Sequence, residues 1–143
     1  MQIRQVLRRK GQDVVTIEAQ QSVRAALAVL AEHGIGALVV SADGQRIDGI
    51  LSERDVARGL HEHGAALLAR PVADVMTADV HSCPPSASVH ELAQTMTDRR
   101  VRHVPVVEEG RLVGIVSIGD VVKARLDELE AERASLVDYI QTA

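Results

Sequence analysis

A seven-residue phrase occurs twice in this 143-residue chain: Gly49-Ile50-Leu51-Ser52-Glu53-Arg54-Asp55 returns as Gly114-Ile115-Val116-Ser117-Ile118-Gly119-Asp120. In both copies a glycine is followed by two aliphatics, a serine, two variable residues and an aspartate. Aliphatics that stop at Ser-x-x-Asp predict a buried strand running into a helix, with the serine as N-cap. One copy needs no more explanation than a capping box, in which serine and acid satisfy orphan amides at the helix start. Two copies in register within a longer repeat constrain the whole chain, because they require two halves of like architecture.

The flanking sequence extends the repeat. Ile3, Val6 and Leu7 have helical spacing, and Val14 to Ile17 reads as a brief strand. Ser22 opens an amphipathic helix ending at His33-Gly34. Ala37 to Val40 and Ile47 to Leu51 form a hairpin around Asp43-Gly44, and a helix runs from Ser52 through Leu60 to Gly64. The order then restarts. Val72, Val75 and Met76 echo the first apolar triad, Val80 to Cys83 the first strand, and a helix begins at Ser88. Val104 to Val107, Glu109-Gly110 and Leu112 to Val116 make the second hairpin. Ser22 and Ser88 differ by 66, whereas Gly49 and Gly114 differ by 65. The lost residue falls in the second hairpin turn, where deletions cost least.

The predicted fold is therefore α/β (α+β), two β-α-β-β-α repeats packed as a pseudo-twofold pair through their small sheets. The divisions are residues 1–66, 67–125 and a helical extension at 126–143. Each half is too small to bury its sheet face alone. The last helix continues to about Thr142, with Val122, Leu126, Leu129, Leu136 and Ile140 at steps of three, four and seven. That stripe serves either self-packing or a coiled-coil-like seam between subunits.

Composition narrows the function. A net charge of −4 argues against a nonspecific grip on nucleic acid, and with no Phe or Trp and only Tyr139 there are no stacking platforms for bases. No apolar run is long enough to span a bilayer, and Met-Gln-Ile-Arg-Gln does not read as a signal peptide. One cysteine, Cys83, allows neither an internal disulfide nor a cysteine zinc cluster. The cytoplasm is the expected address.

With these motifs in place, the chain resembles a tandem pair of cystathionine-β-synthase (CBS) domains, a Bateman module. The carriers are the two phrases, the stretch Arg99-Arg100-Val101-Arg102-His103-Val104-Pro105-Val106, and Met76-Thr77. The wording is also similar to the stand-alone bacterial two-CBS signal-transduction proteins. The resemblance implies a regulatory module without catalysis that binds adenine nucleotides in two clefts between the domains. AMP leads as ligand, with ADP, ATP, NAD(H) and S-adenosylmethionine as alternatives. It also implies a homodimer shaped as a flat disc and a regulated protein that the sequence does not name. In the family, the serine and aspartate of the phrase hold phosphate and ribose.

The residues are compatible with those roles. A helix N-terminus carries unpaired amides and partial positive charge, so Ser52 and Ser117 sit where phosphate is attracted. Asp55 and Asp120 repel phosphate but can accept hydrogen bonds from the adjacent hydroxyls of a ribose. Candidate cations are Lys10, Arg54, Arg102 and His103; for Lys10 and Arg54, surface solvation is an equal reading. Arg102 and His103 are preferred over Arg99 and Arg100 because they lead directly into the strand. The basic groups differ between the halves, so one hypothesis has them converge on a single cleft, leaving one strong and one weak site. Val15, Val80, Ile50 and Ile115 are expected against adenine or in the core; Thr16, Ala37, Thr77 and Pro105 complete the candidate set.

Other chemistries lack their signatures. His61-Glu62-His63 has no third ligand at useful spacing, His90-Glu91 lacks the second zincin histidine, and there is no Gly-x-Gly-x-x-Gly or Walker loop. Cys83 reads as core. Three functions remain open: an adenine-nucleotide sensor, a dimerisation or docking module with vestigial clefts, and a redox sensor preferring NAD(H).

Overall fold

The structure, a computed structural model, describes residues 1–142. In chain order it contains α1 (Ile3–Lys10), β1 (Thr16–Ile17), α2 (Val23–His33), β2 (Ala37–Val40), β3 (Gly49–Ser52) and α3 (Glu53–His63). Two short 3-10 turns, Gly64–Ala69 and Val72–Asp74, lead to α4 (Val89–Arg99), β4 (His103–Glu108), β5 (Arg111–Ser117) and α5 (Ile118–Thr142). The serines at predicted helix starts cap them. Ser22 Oγ accepts from the Ala25 amide at 3.1 Å, and Ser88 Oγ from the Glu91 amide at 2.9 Å.

The first half carries a three-stranded sheet in the order β1-β2-β3, with β1 parallel and β3 antiparallel to β2. The second half holds only the hairpin β4-β5, and its expected first strand is reduced to a single parallel bridge, Cys83 to Val106. Proline explains the loss. Thr16 pairs with Val39 in the first half, but Pro105 stands at the position of Val39 and has no N–H to offer an incoming strand.

The leading segments of the two halves are exchanged. Ile3, Val6 and Leu7 of α1 are buried in the core of the second half, among Val89, Met96, Val104 and Val116. Leu67 and Val72, which open the second half, are buried in the first core, among Val23, Leu38, Leu51 and Val56. Matching hydrogen bonds fasten both: the Ile3 amide donates to the Ala87 carbonyl at 2.9 Å, and the Val72 amide to the Gln21 carbonyl at 2.7 Å.

This exchange accounts for the glycine that opens each phrase. A Cβ on Gly49 would stand 2.7 Å from Met76 Sδ and 2.9 Å from the Thr77 carbonyl oxygen. On Gly114 it would stand 2.7 Å from Leu7 Cδ2. Each glycine leaves room for the segment crossing over from the other half.

The last helix is not self-packed along its length. Val121 and Ala124 are its buried residues, while Leu126, Leu136 and Ile140 are 59%, 63% and 72% exposed.

Candidate functional site

A cleft of about 670 Å³ opens between the halves. The start of α3 forms one wall, through Ser52, Glu53, Arg54, Asp55 and Arg58. The residues from Arg99 to His103, joining α4 to β4, form the opposite wall, and Thr77 to His81 of the linker contribute a third side. The strand-to-helix turn of the repeated phrase positions the first wall. The Glu53 amide donates to the Gly36 carbonyl at 3.0 Å, and the Ile118 amide to the Arg102 carbonyl at 2.8 Å, so both phrases are anchored alike.

Both copies form the capping box. Asp55 Oδ2 accepts from the Ser52 amide at 2.9 Å, and the Asp55 amide donates back to Ser52 Oγ at 3.3 Å. Asp120 Oδ2 accepts from the Ser117 amide at 2.9 Å, and the Asp120 amide donates to Ser117 Oγ at 3.2 Å. Capping engages one carboxylate oxygen of each aspartate. Asp55 Oδ1 retains a long hydrogen bond from Thr77 Oγ1 at 3.3 Å and a distant ion pair with Arg58 at 3.9 Å.

The two aspartates then diverge. Lys10 Nζ donates to Asp120 Oδ2 at 2.6 Å and to the Ile115 carbonyl at 2.8 Å. Burial opposes ionisation of Asp120, but the Lys10 hydrogen bond and the Ser117 amide outweigh it and hold the carboxyl below its ordinary value. The expected convergence of Lys10 with Arg54, Arg102 and His103 therefore does not occur. Because α1 is packed into the second core, its C-terminal lysine lies beside α5 rather than in the large cleft.

Of the predicted residues, Ser52, Arg54, Asp55, Thr77, Val80, Arg102 and His103 line the large cleft. Lys10, Ser117 and Asp120 form the separate cluster. Val15 packs on the first core, Thr16 sits in β1, Ala37 pairs with Ser52, and Pro105 is buried in β4 opposite Ile115; none of these four lines the cleft. Arg99 and Arg100 line the cleft beside the preferred Arg102 and His103, and Glu53, Arg58, Asp79 and His81 line it without having been singled out in the sequence. Arg58 was findable, since it lies one helical turn from Arg54 and Asp55. Asp79 and His81 gave no signal beyond flanking Val80.

His103 stands near the junction of the two regions. A Cβ on Gly36 would lie 3.4 Å from its Cε1 and 3.6 Å from the Glu53 carboxyl carbon. Burial, reinforced by the Lys10 ammonium, holds the imidazole below its ordinary value, although Glu53 and Asp120 pull the other way. Burial pushes the Cys83 thiol up to about 11, so it is a core side chain and not a thiolate at neutral pH. Among the described residues there is no metal-binding group of His, Cys, Asp or Glu, and no helix is long and apolar enough to cross a membrane.

The chain has counterparts among known proteins. The model of the CBS domain matches residues 3–62 and 72–127, and the chain belongs to the CBS-domain family as a tandem pair. A CBS-domain containing protein from Agrobacterium tumefaciens superposes with a TM-score of 0.84 at 46% identity, covering 87% of this chain and 99% of that one. The CBS domain-containing protein CBSX3, mitochondrial, of Arabidopsis thaliana is 39% identical over 116 residues, which are 78% of this chain and 56% of the relative. The chain thus spans little more than half the length of that relative. A CBS domain pair solved in complex with 5′-methylthioadenosine and S-adenosyl-L-methionine shares the fold, with a TM-score of 0.78 at 22% identity over 90% of this chain and 98% of that one.

Proposed function

We propose that the chain is a non-catalytic regulatory module that binds an adenine nucleotide in the Asp55 cleft. The observation carrying this reading is the cleft itself, where a carboxylate at a helix start faces a basic wall across a space of ligand size. The related CBS pair that holds two adenosine compounds supports the ligand class. Adenine rests against Ile50 and Val80, ribose hydroxyls donate to Asp55, and phosphate lies toward Ser52, Arg54, Arg102 and His103. AMP, ADP, ATP and NAD(H) all fit this description. Occupancy biases the packing of the halves by no more than the ligand's differential affinity for the two arrangements.

The Asp120 region is a weaker second site, because it lies outside the large cleft and its cation, Lys10, is already committed to the capping oxygen of Asp120 and to the Ile115 carbonyl. A thermal-shift and calorimetric panel of AMP, ADP, ATP, NAD+, NADH and S-adenosylmethionine tests the reading. At ligand concentrations of about 100 times Kd, linkage stabilises by about 2.7 kcal/mol, which raises Tm by roughly 5–10 °C. One tight site per chain is expected. Silence toward every compound points instead to a docking module with vestigial clefts, and two equal sites would contradict the inequality.

His103 makes binding pH-dependent. Its pKa is depressed in the free protein, and a phosphate beside it favours the protonated form, so the bound pKa is the higher one. Binding then takes up a proton, and affinity rises as pH falls through the bound-state pKa toward the lower pKa of the free protein. Calorimetry in buffers of different ionisation enthalpy reads this uptake directly. His103→Gln removes it; uptake unchanged in the variant refutes the assignment.

The partner that covers α5 is a second copy of the chain. Val122, Leu126, Leu129, Leu136 and Ile140 form an apolar stripe at coiled-coil spacing, between 50% and 72% exposed. Analytical ultracentrifugation is expected to show a dimer that Leu126→Glu combined with Leu136→Glu converts to monomer. A wild-type monomer at micromolar concentration overturns this.

A further inference from the structure

We infer that the Asp55 cleft is built for a ligand carrying at least two linked phosphates, as in a nucleoside di- or triphosphate or a dinucleotide, and that Arg100 sets this preference. The inference rests on the nucleotide reading above and adds the length of the anionic end. Its starting point is a comparison between the halves. At the turn after the second helix of each half, the chain reads His33-Gly34-Ile35-Gly36 in the first and Arg99-Arg100-Val101-Arg102 in the second.

The backbone there is the same in both. Gly34 caps α2 in the left-handed region at φ 61 and ψ 39. Arg100 caps α4 at φ 55 and ψ 38. Glycine adopts this conformation without cost, whereas a side chain with a Cβ is disfavoured in it. An arginine held at a glycine position is a local strain, and such strain marks functional sites. The dipole of α4 attracts a cation at Arg99 in its last turn. It does not require an arginine at the strained cap, nor Arg102 beyond it.

Charge points the same way. The chain as a whole is negative by four, yet five arginines, at positions 54, 58, 99, 100 and 102, line this cleft against the three acids Glu53, Asp55 and Asp79. Asp55 is already engaged with Ser52 and Arg58. Among the described residues, Arg99, Arg100 and Arg102 have no carboxylate within 4.0 Å. Arg54 Nη1 donates to the Arg100 carbonyl at 3.4 Å, so the strained cap is tied to the start of α3 across the cleft. Guanidiniums gathered around one cleft repel one another until an anion lies between them. A terminal monophosphate carries at most about two negative charges, fewer than the three unpaired guanidiniums of Arg99, Arg100 and Arg102. A second linked phosphate adds charge and oxygens for the remaining forks, each able to bind bidentately.

The test is a calorimetric titration of AMP, ADP, ATP and inorganic tripolyphosphate into the wild-type chain and into Arg100→Gly. Wild type is expected to bind ADP and ATP at least about tenfold more tightly than AMP. In Arg100→Gly that advantage falls below about threefold, ADP and ATP losing more affinity than AMP. Relief of the left-handed strain raises the melting temperature of the free variant by roughly 2–4 °C, which separates lost recognition from lost folding. AMP binding as tightly as ATP to wild type overturns the inference, as does a variant that loses all nucleotides equally. If no adenine nucleotide binds but tripolyphosphate stabilises wild type and not the variant, the polyphosphate preference stands and the nucleotide reading fails. If neither binds, both fail.

Discussion

Asp55→Asn is expected to weaken nucleotide binding about 100-fold while leaving the chain folded. The carboxylate stands at the head of α3, 8% exposed, with one oxygen fixed by the Ser52 amide and the other held only by long contacts from Thr77 and Arg58. A ribose diol donating to that second oxygen forms charge-assisted hydrogen bonds, each worth about 1.5–3 kcal/mol net. Loss of about 2.7 kcal/mol corresponds to two decades in Kd. Asparagine keeps the shape and one acceptor, so the cap to Ser52 survives at a cost of about 1 kcal/mol. Calorimetry on Asp55→Asn beside Asp120→Asn gives the comparison, the second variant retaining the high-affinity site within twofold. A 2′-deoxy ligand should also bind more weakly to wild type, since an unpaired buried acceptor costs about 1–3 kcal/mol. Equal affinity of Asp55→Asn and wild type for the same nucleotide would remove ribose recognition from Asp55.

Gly49→Ala is the substitution with the largest expected effect on stability, about 3 kcal/mol or roughly 10 °C in Tm. The added Cβ meets not only the flexible Met76 side chain but also the Thr77 carbonyl, 2.9 Å away. That carbonyl accepts from the Ile50 amide at 2.9 Å and the Thr77 amide donates back at the same distance, so the linker cannot retreat without breaking both bonds. Gly114→Ala collides with the end of the Leu7 side chain alone, which can change rotamer, and should cost nearer 1 kcal/mol. Chemical denaturation of the two variants reads the difference. Because Thr77 also donates to Asp55, Gly49→Ala should weaken ligand binding as well. Equal losses of stability would mean that the linker is free to move.

The duplicated phrase made the strand, helix and capping pattern legible, along with Asp55 and Ser52, because register between two copies restricts what each can be. The exchange of leading segments was not legible. Ile3-Val6-Leu7 and Val72-Val75-Met76 are both apolar triads, and two aliphatic cores accept either; side-chain volumes and crossing paths decide, and these exist only in three dimensions. The placement of Lys10 followed from that decision and was missed with it. The loss of the second half's first strand was not anticipated, although its cause, the missing N–H of Pro105, is a local fact of the sequence. The strain at Arg100 depends on a backbone angle that the residue name does not reveal. The repeat aligned it with Gly34, a hint that became visible once the conformation was known.

The crossed packing of α1 dictates an order of assembly. Its resting place is formed by Val89, Val104 and Val116, residues made on the ribosome some eighty to one hundred and ten positions later. During synthesis the first core can close only when Leu67 and Val72 arrive, and α1 must wait, apolar face uncovered, until Val116 has emerged. Cutting the gene just before Leu67 would yield two fragments each carrying the keystone of the other, able to regain shape only by meeting.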